Sequence, residues 1–212
     1  MKKKVILIGL IFISCEGLNV KNSNGTQQET TRNDESAGIV NQYEGAIQTL
    51  YDYIDVFHKN EITDENFSLI FNSPFVFSSI ENPNMTFNTI SETTGFYNVI
   101  RNVVYPDISS PYEFEYFRLD KLKLFPLSEK SVMLSIRYVW HTTPEQTPRF
   151  KEAFTYLLKY DDIQKKWLMN NLIEIHYDYY PENWIDVEIA PEWKYNNKIS
   201  LDQLQGLTAP KL

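Results

Sequence analysis

Four consecutive runs rich in β-branched and aromatic residues fill most of the second half of the chain and constrain its fold more than any other feature. They are YEFEYFRLDKLKLFPL, SVMLSIRYVWHTT, FKEAFTYLLKYDD and KKWLMNNLIEIHYDYY, and they are separated by the turn-like breaks SEK, PEQTP and DIQK. Partial two-residue alternation along each run is typical of strands. Because such short connections join antiparallel neighbours, the sequence predicts a four-stranded antiparallel meander.

The segment before these strands carries helical patterns. In VNQYEGAIQTLYDYIDVFHKN, apolar residues recur at three- and four-residue steps, as on one face of an amphipathic helix: Val40, Tyr43, Ile47, Leu50, Ile54 and Phe57. TDENFSLIF predicts a short helix that Thr63 can cap. PFVFSSIENP predicts a strand that ends at Pro83, and SETTGFYNVIRNVVY predicts a third helix, with a stripe formed by Phe96, Val99, Ile100 and Val103.

This order of elements resembles the NTF2-like superfamily, which includes ketosteroid isomerases and SnoaL-type cyclases. The resemblance covers about residues 43–180 and rests on the element order and on FVFSSIENP leading into ISETTGFYNVIRNVV. It implies an α+β cone, in which N-terminal helices pack against a curved antiparallel sheet and the open end forms a pocket for a small apolar molecule. Members of this superfamily are catalysts, binders and interaction modules, so the fold alone specifies no activity.

The N-terminal sequence predicts where in the cell the protein is located. Three lysines, Lys2 to Lys4, precede a short apolar stretch that is too short to cross a bilayer and is typical of a signal peptide. The following FISC resembles the lipobox of bacterial lipoproteins, with Phe12 in place of the usual leucine. The resemblance implies that the chain is cut before Cys15, its single cysteine, and that this thiol carries a lipid. We therefore expect a lipid-anchored protein of the bacterial cell envelope, at the outer membrane or cell surface rather than the inner membrane.

These patterns divide the chain into four parts. Residues 1–14 are predicted to be a lipoprotein signal peptide and residues 15–39 a disordered tether, because the polar segment after Cys15 has too few large apolar residues to offset chain entropy. Residues 40–184 are predicted to form the NTF2-like domain. Residues 185–212 form a C-terminal extension, and we expect Trp184 and Trp193 to pack part of the C-terminal region onto the domain.

Composition and motifs exclude several functional classes. The chain has 20 Lys and Arg against 28 Asp and Glu, and loss of Lys2 to Lys4 with a signal peptide leaves a net charge of 17 − 28 = −11. An acidic surface argues against binding to nucleic acid. The chain has no cysteine cluster for a metal, no HExxH motif, no glycine-rich phosphate loop and no GxSxG motif. We therefore predict neither a metal nor another cofactor.

Candidate catalytic residues come from the resemblance. An isomerase of this family needs a carboxylate base and a donor for an oxyanion, commonly a tyrosine on the first helix, which points to Tyr51 or Tyr53 with Asp55 nearby. Dehydratases of this fold use a histidine and an aspartate, which makes His141 and His176 candidates. A core tyrosine with its hydroxyl near the rim is the simpler interpretation of either tyrosine.

Alternation also assigns these residues to faces of the predicted strands. In NLIEIHYDYY, Glu174, His176 and Asp178 share one face, and the more apolar opposite set predicts that this polar row points outward. Together with Arg137 and His141 of the second long strand, it would form a polar patch outside the cone. His58 ends the first helix, where a cation interacts favourably with the helix dipole.

Three hypotheses follow from the sequence. The leading one is a lipid-anchored, non-catalytic NTF2-like domain that binds a partner protein or a small apolar ligand. The alternative is an isomerase or dehydratase with an Asp or His base and a Tyr donor in the cone pocket. A third is an accessory lipoprotein whose cone is filled by Trp184 or Trp193. An ionisable group inside the cavity, especially Asp55, Asp120 or His141, would favour an enzyme over a binder.

Overall fold

The computed structural model describes residues 36–80, 83–104, 116–141, 150–195 and 197–198. The predicted signal peptide, Cys15 and nearly all of the predicted tether lie outside the described residues, as does the end of the C-terminal extension. Among the described residues, no helix combines the length and the apolar character needed to span a membrane.

The described residues form four numbered helices and eight strands. The helices are α1 (Glu44–His58), α2 (Asp64–Ser68), α3 (Ile90–Val104) and α4 (Pro191–Lys194). In addition, a 3-10 helix spans Tyr177–Tyr179, and residues 36–42 are helical. The strands are β1 (Phe71–Ser78), β2 (Met85–Phe87), β3 (Tyr116–Ser128), β4 (Ser131–His141), β5 (Phe150–Asp161), β6 (Lys166–Ile175), β7 (Ile185–Asp186) and β8 (Asn197–Lys198).

The predicted meander is present, but the sheet that contains it is mixed. The strand order is β2-β1-β6-β5-β4-β3-β7, with β8 also paired to β3. Pairing is antiparallel from β3 to β6, as expected. The expectation of a purely antiparallel sheet is wrong at β1, which pairs parallel to β6 with Phe77 opposite Leu172. These two strands are far apart in sequence, so no short connection determines their relative direction.

The first two helices agree with the sequence. Helix α1 buries the predicted apolar stripe against the sheet, including Ile47, Leu50, Ile54 and Phe57. Helix α2 begins at Thr63, whose hydroxyl accepts a hydrogen bond from the backbone N–H of Asn66 at 3.2 Å. This contact satisfies one of the backbone donors that a helix leaves unpaired at its N-terminus.

The predicted apolar stripe of α3 is confirmed at Phe96 and Ile100, which pack against the core, and is wrong at Val99. Val99, assigned to the apolar stripe, is 63% exposed, whereas Thr93, Tyr97 and Arg101 are buried. Arg101 donates from its Nε to the carbonyl oxygen of Phe57 at 2.8 Å and from its Nη2 to that of His58 at 3.1 Å. These carbonyls belong to the last turn of α1, where a helix supplies few backbone donors, and the Phe57 carbonyl also accepts from the backbone N–H of Asn60 at 3.3 Å. The hydrogen bonds from Arg101 therefore favour the observed orientation of α3.

The C-terminal segment covers the outer strand of the meander. Strand β7 pairs with β3, and the ammonium group of Lys123 lies 2.7 Å from a carboxylate oxygen of Asp186. The Trp184 ring packs on Phe125 with 5.3 Å between ring centroids. This pairing occupies part of a strand edge that would otherwise be open to another chain.

Candidate functional site

A cavity of about 170 Å³ lies between the helices and the inner face of the sheet. Helix α1 contributes Tyr53, Ile54, Phe57 and His58 to its wall, and α3 contributes Tyr97 and Ile100. The sheet contributes residues from five strands: Phe77, Phe117, Tyr138, Trp140, Glu152, Phe154, Tyr156, Leu172 and Glu174. The two-residue periodicity of β4, β5 and β6 explains why alternate residues of each strand reach the same cavity.

Most of the wall is aromatic, and four of its residues are tyrosines. The hydroxyl oxygens of Tyr138 and Tyr156 are 2.7 Å apart and share a hydrogen bond. The Tyr53 ring packs against Tyr97 and Tyr156 with centroid distances of 5.5 and 5.8 Å. Burial raises the pKa of Tyr53, Tyr97 and Tyr156 above that of an exposed phenol. These hydroxyls therefore stay protonated at neutral pH and can donate hydrogen bonds.

Glu152 is the ionisable group whose environment is most unusual. It lies on the inner face of β5, opposite Tyr138 of β4, and accepts a hydrogen bond from the indole N–H of Trp140 at 3.2 Å. Burial raises the pKa of Glu152 to about 7, the Trp140 hydrogen bond opposes this rise, and the negative charge of Glu174 adds to it. A carboxyl group titrating near neutral pH can bind or release a proton under physiological conditions.

Glu174 provides a second carboxyl group in the wall. It lies on β6 opposite Phe154 of β5 and accepts a hydrogen bond from the hydroxyl of Ser79, which follows β1, at 2.7 Å. The prediction that Glu174 points outward is wrong. Leu172 and Glu174 do share a face, but it is the inner one, and Ile173 and Ile175 on the other face are only partly buried.

His58 lines the cavity as a neutral imidazole. Its ring lies 4.1 Å from that of Phe117 and 5.9 Å from that of Trp140, measured between centroids, and the Trp140 ring is nearly parallel to it. Burial among these rings, together with the positive charge of Arg101, lowers the pKa of His58 to about 3. The interpretation of His58 as a cation at the end of a helix is therefore wrong, although its position at that end is correct.

Of the candidates on the first helix, Tyr51 and Asp55 lie apart from the cavity. The Tyr51 hydroxyl accepts a hydrogen bond from the backbone N–H of Ala190 at 3.0 Å, and Tyr51 does not line the cavity. Asp55 forms an exposed ion pair with Lys59 at 2.6 Å, also away from the wall. Tyr53, the other tyrosine considered at this position, does line it.

The two histidine candidates are also outside the wall. His141 is buried at the end of β4. His176 is exposed, because β6 ends at Ile175 and the chain then enters the 3-10 helix, whose Asp178 N–H bonds the His176 imidazole at 3.3 Å. The proposed row of Glu174, His176 and Asp178 therefore does not exist as one strand face.

A polar cluster does lie outside the cavity around Arg137. Its guanidinium donates to Asp120 and lies 4.7 Å from the centroid of the Tyr177 ring. Asp120 also pairs with Arg118 at 3.3 Å. Asp120, which the sequence had offered as a base inside the cavity, thus belongs to a salt-bridged outer surface.

Neither tryptophan proposed to fill the cone is part of the wall. Trp193 packs on the rings of two lining residues, His58 and Phe117, with centroid distances of 5.3 and 6.2 Å. Trp184 packs on the outer strand β3 instead. In the part of the chain that the structure describes, the cavity is not filled by the C-terminal segment.

Sequence reasoning did not identify Glu152, yet the sequence contains a signal for it. In FKEAFTYLLKY, two-residue alternation puts Glu152 on the same strand face as Phe154 and Tyr156. A single carboxylate in register with apolar, inward-facing residues indicates a buried ionisable group. The described residues contain no group of three His, Cys, Asp or Glu side chains arranged to hold a metal ion.

Comparisons with known proteins find similarity in structure alone. No protein-family model matches the sequence, and no relative is found among curated proteins. Solved structures that are similar include an NTF2-like protein of unknown function from Shewanella oneidensis, with 20% identity over 62% of this chain and 96% of that chain at a TM-score of 0.41. Another is an NTF2-like protein with a cystatin-like fold from Novosphingobium aromaticivorans, with 6% identity over 76% of this chain and 95% of that chain and a TM-score of 0.49.

A third similar structure is a ketosteroid isomerase-like protein from Erwinia carotovora atroseptica, with 10% identity over 64% of this chain and 97% of that chain and a TM-score of 0.44. The α+β class and the order of helices and strands described above agree with what the NTF2-like resemblance implied. Low identity of this kind concerns the fold and does not identify a ligand or a reaction.

Replacing Glu152 by glutamine tests the buried carboxyl group through stability. Since the folded-state pKa of about 7 lies above the unfolded value of 4.5, protonation stabilises the fold. This contribution is complete below pH 4.5 and is lost as the pH rises through 7. Glu152→Gln should therefore match the wild type near pH 4.5 and be more stable at pH 8 by up to about 3 kcal/mol, measured by urea unfolding.

Glu188→Gln, at an exposed position, is the matched control and should change the free energy of unfolding by less than about 0.5 kcal/mol at either pH. Parallel pH profiles of stability for the wild type and Glu152→Gln would contradict a buried, shifted carboxyl group.

Proposed function

We propose that the domain is a receptor for a small, largely apolar molecule, held in the aromatic cavity, and that a lipid on Cys15 keeps it at the cell envelope. The observation that carries the first part is a cavity with an aromatic wall into which two carboxyl groups converge. Small-molecule sites are typically concave and mostly apolar, with a few placed polar groups that orient the ligand.

The polar groups in the wall support a binding function over a purely structural one. Burying Glu152 raises its pKa to about 7, so the folded protein loses stability at higher pH by retaining this carboxyl group. A core whose role were packing alone would be more stable with an apolar side chain at this position. Costly polar groups of this kind are concentrated at functional sites.

The size of the cavity limits the ligand. A dry protein cavity of about 150 Å³ is large enough for benzene, so about 170 Å³ accommodates a single ring or a branched group of similar volume. A larger molecule would have to extend out of the cavity. The geometry therefore favours a small molecule over a protein segment as the occupant, and a partner protein on another surface stays a prediction.

Catalysis by proton transfer is a second candidate, favoured by one specific observation. Glu152 has a pKa of about 7, in the range suited to a general base, and shares the cavity with protonated tyrosines. A base and hydroxyl donors in one apolar cavity can together remove a proton next to a carbonyl group and stabilise the resulting oxyanion. In this candidate Glu152 takes the role for which the sequence had suggested an aspartate or histidine.

Toluene and cyclohexanone are suitable neutral probes for both candidates. We expect each to shift the NMR resonances of the residues lining the cavity in a saturable way. Ile100→Phe, which adds volume to the cavity wall, should abolish these shifts. Val99→Phe, its exposed neighbour on α3, should leave them unchanged.

The same cyclohexanone sample in D₂O distinguishes receptor from catalyst. A receptor leaves deuterium incorporation next to the carbonyl at its buffer rate, whereas exchange that Glu152→Gln removes would support the second candidate. Equal probe binding by Ile100→Phe and the wild type would contradict a site in this cavity.

The anchoring part of the proposal is tested in a bacterial host by labelling with radioactive palmitate. Cys15→Ser should abolish the label, because the thiol is the atom that would carry the lipid. Ser14→Ala, which keeps a small residue before the cysteine, should retain it. A labelled Cys15→Ser protein would show that the lipid, if present, is attached elsewhere.

A further inference from the structure

The charged side chains among the described residues of the cavity wall are both acidic. Phe154 of β5 is paired with Glu174 of β6, so Glu152, two residues along β5, is a diagonal neighbour of Glu174 on the same face. Diagonal neighbours of this kind lie roughly 7–8 Å apart. Among the described residues that line the cavity, two are glutamates and none is lysine or arginine. The wall thus presents two carboxyl groups without a cationic partner in the same lining.

Arg101, whose positive charge acts on the lining residue His58, is not part of the cavity wall. Its guanidinium donates to the backbone carbonyls of Phe57 and His58. His58 itself stays neutral, since its pKa is lowered to about 3. The charged neighbour that affects Glu152 is another carboxyl group, Glu174, which makes ionisation of Glu152 harder.

The rest of the wall suits a cation without a strong hydration shell. Aromatic faces, above all those of tryptophan and tyrosine, attract ammonium groups through their ring quadrupoles, and they do so most strongly when water is excluded. Trp140, Tyr53, Tyr97, Tyr138 and Tyr156 all line this cavity. In addition, the buried Tyr97 hydroxyl interacts with Tyr53 in the same wall.

Other charged ligands fit this wall less well. An anion would meet Glu152 and Glu174 and would find no cation in the lining described here. A metal ion generally requires more oxygen or nitrogen ligands than two carboxyl groups in an aromatic wall provide, and the described residues form no three-ligand cluster.

We infer that the ligand of this cavity is a small organic ammonium ion, whose cationic group packs against the aromatic rings and pairs with Glu152 and Glu174. This inference rests on the proposed receptor function and names the chemical class of its ligand. The ammonium ion supplies the positive charge that the cavity lining lacks, and its alkyl groups occupy the apolar part of the wall.

Such a ligand couples binding to the protonation of Glu152. The polar and titratable groups that line the cavity together with this carboxyl group are Tyr138 and Trp140 of β4, Tyr156 of β5, Glu174 of β6, Tyr53 and His58 of α1, and Tyr97 of α3. Of these, the tyrosines with raised pKa values and the neutral His58 do not change charge between pH 6 and 8. A permanent cation should therefore bind less tightly as the pH falls below 7, approaching about tenfold per pH unit.

Choline and 3,3-dimethyl-1-butanol provide a matched pair of probes, because they have the same shape and differ by one positive charge. By titration calorimetry at pH 8, we expect the wild-type protein to bind choline at least about tenfold more tightly than the alcohol. Only choline should bind less tightly at pH 6. Glu152→Gln should weaken choline binding by about tenfold or more and remove most of its pH dependence, and Glu174→Gln should also weaken it.

Asp55→Asn removes a carboxylate of the exposed surface and should leave choline affinity unchanged. If the alcohol binds as tightly as choline, the ammonium inference is overturned and the receptor function stands. If neither choline nor the alcohol binds while toluene or cyclohexanone does, the ammonium inference is also overturned and the receptor function stands. If no probe shifts the resonances of the lining residues, both the inference and the receptor function are overturned. Thermal unfolding of each variant verifies that it is folded.

Discussion

The hydrogen bonds from Arg101 to the last turn of α1 determine where the cavity lies. The carbonyl oxygens of Phe57 and His58 lie in the last turn of α1, where a helix supplies few backbone donors, and a buried guanidinium from α3 donates to both. The positive charge is also favourable at the carboxyl end of a helix. This contact joins α1 to α3 and places the His58 ring against the rings of Phe117 and Trp140. The same charge helps to keep His58 neutral, so the helix end becomes an uncharged wall of the cavity.

On the sheet side of the cavity, two carboxyl groups lie in an environment that disfavours their ionised form. Glu152 and Glu174 lie among aromatic rings, where an ionised carboxyl group loses hydration and gains few compensating contacts. The Trp140 indole and the Ser79 hydroxyl each provide one hydrogen bond. These bonds satisfy part of each carboxyl group and leave room for another partner. Under the proposed receptor function, a ligand that brings a positive charge between the two strands would supply that partner.

Periodicity and turn chemistry made much of the fold predictable. The alternation of the four long runs and their short connections specified β3 to β6, and the Thr63 cap and the stripe of α1 also follow from local rules. The parallel pairing of β1 with β6 and the inward side of α3 depend on residues distant in sequence, Leu172 and Phe57. For the site, Tyr53 was among the residues considered, but counting apolar residues assigned Glu174 to the wrong face. A face that lines a cavity need not be the more apolar one.

The central claim is that a cavity between α1, α3 and the sheet holds a buried carboxyl group that titrates near neutral pH. A carbon-13 NMR titration of the Glu152 carboxyl resonance, assigned by comparison with Glu152→Gln, measures this directly. The account predicts a midpoint at about pH 7 in the ligand-free protein and a lower midpoint with saturating choline. A midpoint near the ordinary value of about 4.5, unaffected by choline, would contradict it.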